Sequence, residues 1–154
     1  MTIFSRRAVL LASAIALAPR AAFAASPPVT VHKDPDCDCC NGWVEHLRAN
    51  GFAVKTVNTK TLDRDKARLG VPSELAACHT AEVGGYVIEG HVPAPAIKKL
   101  LAEKPAATGL AVPGMPQGSP GMGGTPEQYD VILFGKGEPR VFGRYKADKL
   151  IPSS

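Results

Sequence analysis

The sequence lacks the features of a nucleic-acid-binding protein. Aromatic residues make up only 6% of its 154 positions, and no run of basic residues has aromatics interleaved with it. The formal net charge is +4, but Arg6, Arg7 and Arg20 lie in an N-terminal segment that we expect to be removed, which leaves 15 basic against 14 acidic residues. A surface that binds DNA or RNA requires a clustered excess of Lys and Arg. The balanced charge therefore excludes nucleic acid as a partner.

The N-terminal apolar stretch is too short to cross a membrane. Ala8–Ala18 has eleven residues, whereas a membrane-spanning helix needs about 20. Residues 1–24 contain no acidic residue, carry an Arg pair and end in Ala22-Phe23-Ala24, the A-x-A pattern of a cleavage site. The segment Ser5–Leu10 resembles the twin-arginine export signature. We therefore expect a cleaved signal peptide over 1–24, a periplasmic location and a mature chain, residues 25–154, that does not span a membrane.

Apolar periodicity and turn residues predict alternating strands and helices in the mature chain. The expected strands are Val29–His32, Phe52–Val57, Thr80–Val83 and Tyr86–Gly90, and the expected helices are Asn41–Asn50, Leu62–Leu69 and Pro93–Glu103. A last hairpin, formed by Val131–Phe134 and Arg140–Tyr145, closes the domain. The order strand, helix, strand, helix, hairpin, helix predicts an α/β fold, namely a single thioredoxin-like domain over residues 25–154.

A long segment rich in Gly and Pro lies between the last helix and the closing hairpin. Residues 105–128 contain five Pro and six Gly in 24 positions, a composition that predicts no regular structure. The segment also contains Met115 and Met122, which are both methionines of the mature chain. Loops of this length in compact domains are usually functional or disordered. We expect an added loop that brings two thioether sulfurs to the domain.

Three thiols fall within four positions, at Cys37, Cys39 and Cys40. They lie between a predicted strand and the N-terminus of a predicted helix, where backbone N–H groups and the helix dipole favour thiolate. Cys37 and Cys40 alone form the C-x-x-C pattern of a redox pair. The inserted Cys39 offers competing disulfides to an oxidoreductase but gives a soft metal a further ligand. Asp34, Asp36 and Asp38 oppose thiolate formation in the metal-free protein yet attract a bound cation, which favours a metal site.

Other soft donors follow later in the chain. Cys78 and His79 precede the first predicted hairpin, His91 ends it, and Met115 and Met122 lie in the Gly- and Pro-rich loop. Thiolate and thioether ligands select Cu(I), whereas zinc is usually bound by Cys and His without Met. The donor set therefore predicts copper, Cu(I), as the bound ion. More than four soft donors also permit a cluster of several ions.

Other interpretations of these residues remain open at this point. Two structural disulfides are the default for a small exported domain with four cysteines, although adjacent cysteines are hard to use in two unstrained bridges. The C-x-x-C pair, Cys37 and Cys40, fits a thiol or copper oxidoreductase. The methionines fit gap-filling loop residues, and His79 and His91 fit buried residues with only a hydrogen-bonding role.

Several segments resemble one family of bacterial metal-binding proteins, the domain of unknown function 411 family. The matching segments are Val31–Cys40, Gly42–Leu47, Cys78–Ala81, Gly85–Pro93, Gly109–Pro116 and Gly118–Met122. Better-understood members of the family are the CopG-type copper-resistance proteins of the periplasm. The resemblance implies a thioredoxin-like fold, copper ions as the ligand and a role in copper tolerance. We therefore expect a periplasmic protein that sequesters Cu(I) or exchanges it with other periplasmic copper-handling proteins.

The resemblance also implies which residues bind the metal. The family's metal cluster corresponds to Cys37, Cys39, Cys40 and Cys78 in this chain, with Met115, Met122 and His91 as further candidates. Asp38 stands where many members of the family have Gly. This departure affects the flexibility and charge of the cysteine loop more than its ligands.

Overall fold

A computed structural model of the protein describes residues 26–152. The expected signal peptide, residues 1–24, lies outside the described residues. The strands are β1 (Val29–Lys33), β2 (Val54–Asn58), β3 (His79–Val83), β4 (Tyr86–Gly90), β5 (Gly109–Val112), β6 (Gln128–Phe134), β7 (Arg140–Lys146) and β8 (Lys149–Ile151), and the helices are α1 (Asp38–Ala49), α2 (Leu62–Arg68) and α3 (Ala94–Glu103). No helix in the described part of the chain is long and apolar enough to span a membrane.

All eight strands form one sheet in the order β2-β1-β3-β4-β5-β6-β7-β8. Strand β1 pairs in parallel with β2, and β4 with β5, whereas the other neighbours are antiparallel. The prediction of an α/β fold is confirmed as a mixed sheet with three helices. The thioredoxin-like part of the prediction is not confirmed, because the sheet is larger than that fold. The expected C-terminal hairpin is present as β6 and β7, and β8 extends it.

The prediction that residues 105–128 contain no regular structure is wrong for one segment. Gly109–Val112 forms β5, in which all four residues are buried. The strand lies between β4 and β6, so its backbone groups find partners on both sides. A Cβ at Gly109 would overlap the carbonyl oxygen of Val87. Glycine therefore allows the close approach of β4, and the composition of the segment obscured a buried strand.

Helix α1 packs its apolar face on the sheet. Trp43, Val44 and Leu47 recur at helical spacing and are buried. Trp43 also donates a hydrogen bond from its indole Nε1 to the carbonyl oxygen of Val92, at 2.8 Å. The helix begins at Asp38, three residues before the predicted start. Packing through Trp43 thus holds α1 against the core.

Candidate metal centre

The N-terminus of α1 carries three of the four cysteines. Cys37 is the N-cap residue, and Cys39 and Cys40 lie in the first turn. The N–H groups of a first helical turn lack partners within the helix, and the dipole is positive at this end. Both effects stabilise a thiolate. Cys40 is fully buried, whereas Cys37 and Cys39 are half-buried and accessible.

Strand pairing brings the fourth cysteine to this turn. Strand β1 ends at Lys33, just before the cysteine loop, and β3 begins at His79, just after Cys78. Lys33 and His79 are partners in the antiparallel pairing of β1 with β3. The Sγ atom of Cys78 consequently lies 3.8 Å from the Sγ atom of Cys39. The sheet therefore joins two segments that are 39 residues apart.

The four cysteine sulfurs lie within 4.8 Å of one another, which suits a metal site. Cys37 and Cys40 are joined by a disulfide bond, whereas Cys39 and Cys78 are free thiols. The Sγ atom of Cys39 is 3.5 Å from that of Cys37. The described chain thus has one disulfide here, rather than the two that a disulfide-stapled domain would use. Reduction of that bond makes all four sulfurs available to a soft metal.

Two buried histidines flank Cys78 and form a second possible ligand group with it. Nε2 of His91 is 3.1 Å from the Sγ atom of Cys78, and Nδ1 of His79 is 3.3 Å from the same sulfur. Cys78 is therefore the residue shared by both possible ligand groups. Nε2 of His79 is buried and has no hydrogen-bond partner, while its ring packs on Trp43 at 4.4 Å between centroids.

Burial sets the protonation states of this second group. Burial raises the pKa of the Cys78 thiol to about 12, and the neighbouring Cys39 adds to this shift. Burial also lowers the pKa of His79 and of His91. At pH 7 the metal-free group therefore consists of a neutral thiol beside two neutral imidazoles. Neutral imidazole is the metal-binding form, whereas a cysteine must lose its proton to bind a cation.

The Gly- and Pro-rich loop packs directly on the cysteine turn. A Cβ at Gly121 would lie 2.5 Å from the backbone nitrogen of Trp43 and 2.6 Å from the carbonyl oxygen of Cys39. Met122 follows Gly121 and is half-buried, so the loop brings this methionine beside the first turn of α1. Met115 is 44% exposed. The backbone next to Met122 therefore packs on the cysteine turn, and Met115 has an exposed side chain.

The aspartates of the cysteine loop have a local role in the turn. Nζ of Lys60 lies 3.2 Å from a carboxylate oxygen of Asp34 and 3.2 Å from one of Asp36. The backbone nitrogen of Asp36 donates to Oδ1 of Asp34 at 2.9 Å, and Asp38 is exposed. The two possible ligand groups within residues 26–152 contain no aspartate. Asp34 and Asp36 thus shape the turn that leads into Cys37.

A buried ion pair behind Cys78 is not recognisable from the sequence. Lys66 of α2 and Glu89 of β4 form this pair, with side-chain exposures of 8% and 0%. Oε1 of Glu89 also accepts a hydrogen bond from the backbone nitrogen of Ala77, at 2.6 Å. Lys and Glu are mostly exposed in proteins, so sequence reasoning does not select them. One signal is present, because Glu89 interrupts an otherwise apolar predicted strand.

The chain is similar to a protein family and to two solved structures. A family model described as "Protein of unknown function, DUF411" matches residues 75–122, which contain Cys78, both buried histidines and both methionines. Two solved structures of a copper resistance protein CopG, forms 2 and 1, are 42% identical to this chain, with TM-scores of 0.73 and 0.72. Each match covers 78% of this chain and 98% of the solved one. No curated protein matches. The chain therefore belongs to the DUF411, or CopG-type, family.

Proposed function

We propose that the protein binds Cu(I) in the bacterial periplasm and serves copper tolerance, by sequestering the ion or by passing it to other copper-handling proteins. One observation carries the proposal: two distant segments bring four cysteine sulfurs within 4.8 Å of one another, at a helix N-terminus. The 42% identity to solved structures of a copper resistance protein supports it. Copper is the cargo in this function.

The donor set suits Cu(I) better than a harder ion. Thiolate and thioether ligands select Cu(I), and imidazole is an accepted further ligand. In the reduced protein Cys37, Cys39, Cys40 and Cys78 supply the thiolates. His91 and His79 supply imidazole nitrogen. The methionines of the loop supply thioether sulfur, and Met122 is the better placed because its neighbour Gly121 packs on the cysteine turn.

The exposure of the thiols suggests how an ion enters and leaves. Cys40 is fully buried, whereas Cys37 and Cys39 are half-buried. An incoming donor thiolate can therefore reach copper from the side of Cys37 and Cys39. Transfer then proceeds by ligand exchange, in which one protein thiolate leaves the ion as the partner's thiolate binds. Sequestration and transfer differ only in whether such a partner is present.

The proposed function includes a periplasmic location for the mature protein. Residues 1–24 are a signal peptide of the twin-arginine type, cleaved near Ala24, and the mature domain comprises residues 25–154. The Arg pair at 6 and 7, the apolar stretch and the A-x-A ending support this. An oxidising compartment is consistent with the Cys37–Cys40 disulfide.

Substitution of two thiols tests the proposed function. The variant Cys39→Ser/Cys40→Ser should abolish tight Cu(I) binding, because two of the four clustered sulfurs are lost. Competition with a chromogenic Cu(I) chelator measures the affinity under anaerobic conditions. The variant His32→Asn is a matched control, since His32 contacts Glu82 and belongs to neither ligand group. Unaltered Cu(I) stoichiometry and affinity in the double serine variant would contradict the proposed copper-binding function.

A second function is favoured by the disulfide. Cys37 and Cys40 form a C-x-x-C pair that is oxidised, as in a thiol or copper oxidoreductase. With this function we also propose that β1–β4, α1 and α3 form a thioredoxin-like unit, because the Cys37/Cys40 pair lies at the start of the first helix. In the copper reaction, one dithiol reduces two Cu(II) to two Cu(I) and releases two protons as the disulfide forms.

Turnover separates these two functions. With an external dithiol and excess Cu(II), an oxidoreductase forms many Cu(I) ions per chain above the amount that the dithiol forms in a protein-free sample, because each cycle regenerates the Cys37/Cys40 dithiol. A carrier adds no more than two per reduced pair to that protein-free amount. The variant Cys37→Ser removes the cycle in the first case. Stoichiometric, non-repeating reduction would therefore assign the protein to copper binding alone.

A further inference from the structure

The buried residues Lys66 and Glu89 form an ion pair and belong to neither possible ligand group within residues 26–152. The Glu89 side chain is fully buried and Lys66 is nearly so, at 0% and 8% exposure. Desolvation of a buried ion pair can cost as much as the attraction between its charges returns, and apolar replacements are often neutral or stabilising. Oε2 of Glu89 even lacks a hydrogen-bond partner. Stability is therefore a weak explanation for this pair.

The pair acts on the peptide that leads into Cys78. Oε1 of Glu89 accepts hydrogen bonds from Nζ of Lys66 and from the backbone nitrogen of Ala77, the second at 2.6 Å. Lys66 thus holds the carboxylate from α2, and the carboxylate holds the backbone one residue before the shared cysteine. This chain of contacts joins α2 to the metal centre without including a metal-binding atom.

A second contact fixes the same residue from another direction. A Cβ at Gly90 would lie 2.8 Å from the Cβ atom of Ala77 and 2.6 Å from the carbonyl oxygen of Val112. Gly90 has a φ of +70°, which also favours glycine. Ala77 therefore packs closely on β4 at Gly90 while its N–H is bound by Glu89. Next along the chain, His91 contacts the Cys78 sulfur at 3.1 Å.

We propose that Glu89 is a positioning residue for Cys78: its Oε1 atom holds the Ala77 N–H, so that the Cys78 sulfur stays close to Cys39 and His91, while Lys66 balances the buried charge of the Glu89 carboxylate. The inference rests on the proposed function only in treating Cys78 as a copper ligand. Residues that orient metal ligands typically change metal affinity about 10- to 100-fold when they are mutated. A purely structural pair would change the free energy of unfolding and leave the geometry of the folded site intact.

Two double variants separate the effect of the hydrogen bond to the Ala77 N–H from the effect of removing the buried charges of Lys66 and Glu89. Lys66→Met/Glu89→Gln leaves no unpaired buried charge and keeps an oxygen that can accept from Ala77. Lys66→Met/Glu89→Leu also leaves no unpaired charge but removes the acceptor. The pair of variants thus differs mainly in the hydrogen bond to the Ala77 N–H. Circular dichroism and urea unfolding establish that each variant is folded before the site is measured.

The first readout is copper-independent. Dibromobimane bridges thiols that lie a few ångströms apart, and peptide mass mapping identifies the bridged pair, here Cys39 and Cys78 at 3.8 Å. The second readout is the Cu(I) dissociation constant from chelator competition. Lys66→Met/Glu89→Gln, the Gln variant, should stay within about twofold of the wild type in both the bridging rate and the Cu(I) dissociation constant. Lys66→Met/Glu89→Leu is the Leu variant. The Leu variant should bridge Cys39 to Cys78 about tenfold more slowly and bind Cu(I) at least about tenfold more weakly.

The outcomes distinguish this inference from the proposed function. Wild-type behaviour of the folded Leu variant overturns the positioning role, and so does an equal loss in the Gln and Leu variants. Slower bridging in the Leu variant alone, with no Cu(I) uptake by any of the proteins, upholds positioning and overturns the copper function. If the Leu variant does not fold, Glu89→Asp replaces it, because it withdraws the carboxylate and keeps both charges. Unchanged bridging in that variant overturns the role.

Discussion

Nε2 of His91 lies 3.1 Å from the Sγ atom of Cys78, while Nδ1 of the same ring lies 2.7 Å from the carbonyl oxygen of Pro120. A carbonyl oxygen only accepts hydrogen bonds, so Nδ1 carries the proton and Nε2 presents its lone pair to the sulfur. A backbone carbonyl on the second ring nitrogen is the usual arrangement behind a metal-binding histidine. The Gly- and Pro-rich loop, to which Pro120 belongs, thus fixes the tautomer of His91.

The shared position of Cys78 makes it the most sensitive ligand. Cys78→Ser removes the one sulfur that belongs to both possible ligand groups. We expect the Cu(I) affinity to fall at least about 100-fold, which corresponds to about 2.8 kcal/mol. Chelator competition under anaerobic conditions measures it, with His32→Asn as the control. An affinity equal to that of the wild type would show that the two groups do not share a ligand.

Glycine at position 121 lets the loop lie on the cysteine turn. Gly121 has a φ of +87°, and an added Cβ would meet the backbone of Trp43 and Cys39 at 2.5 and 2.6 Å. Gly121→Ala should therefore destabilise the protein by at least about 1–2 kcal/mol and weaken Cu(I) binding. Gly123→Ala is the matched control, because a Cβ there meets nothing within 4 Å. Equal urea midpoints for the two variants would contradict the packing of this loop on α1.

His46 makes stability depend on pH. Its Nε2 accepts a hydrogen bond from the backbone nitrogen of Ala94 at 3.0 Å, and burial lowers its pKa below 6.5. The neutral form is favoured on folding, so this contribution is complete above pH 6.5 and is lost as the pH falls through the folded pKa. Urea unfolding of the metal-free protein should show declining stability below about pH 6.5.

A non-titrating variant tests this assignment to His46. His46→Gln can keep an acceptor for Ala94, and it should flatten the loss of stability between pH 7.5 and 5. His79 and His91 also have lowered pKa values, so part of the slope should remain. A slope identical to that of the wild type would mean that His46 does not contribute.

The export signal can be tested by processing. The protein recovered from the periplasm should begin at Ala25, as mass spectrometry of the intact chain measures. Arg6→Lys/Arg7→Lys should retain most of the protein in the cytoplasm as the full chain, because the Arg pair is the element that the twin-arginine route reads. Arg20→Lys is the control and should be exported normally. Export of the double variant at the wild-type level would refute the twin-arginine assignment.

Much of the fold follows from local sequence. Strand β4, Tyr86–Gly90, has the predicted bounds. The two-glycine turn marks where it begins, and the apolar residues that follow are typical of a strand. Helix α1 begins at Asp38, whereas the sequence predicts a start at Asn41. The difference arises because the N-cap residue Cys37 makes no side-chain cap hydrogen bond, so the usual sequence signal of a helix start is missing. The local sequence does not predict strand β5, because Gly109 and the prolines of this segment are typical of a loop, whereas pairing with β4 and β6 decides its conformation.

The donor residues of the candidate site can be predicted from the sequence, but the disulfide and the side-chain contacts around the site cannot. Cysteine, methionine and histidine are recognisable as soft donors by residue type alone. The disulfide between Cys37 and Cys40 is one of several pairings that the sequence allows. The pair of Lys66 and Glu89 depends on α2 packing beside β4, which is a tertiary contact. Local patterns do not encode it.

Anaerobic titration of the reduced mature protein with Cu(I) is the most direct test of the proposed copper centre. Free thiols are counted by alkylation before and after the titration, and bound copper is measured by metal analysis. We expect four reactive thiols per chain at the start, uptake of at least one Cu(I), and protection of Cys37, Cys39, Cys40 and Cys78 from alkylation afterwards. No uptake, or uptake that leaves these thiols as reactive as before, would contradict a copper centre built from the four cysteines.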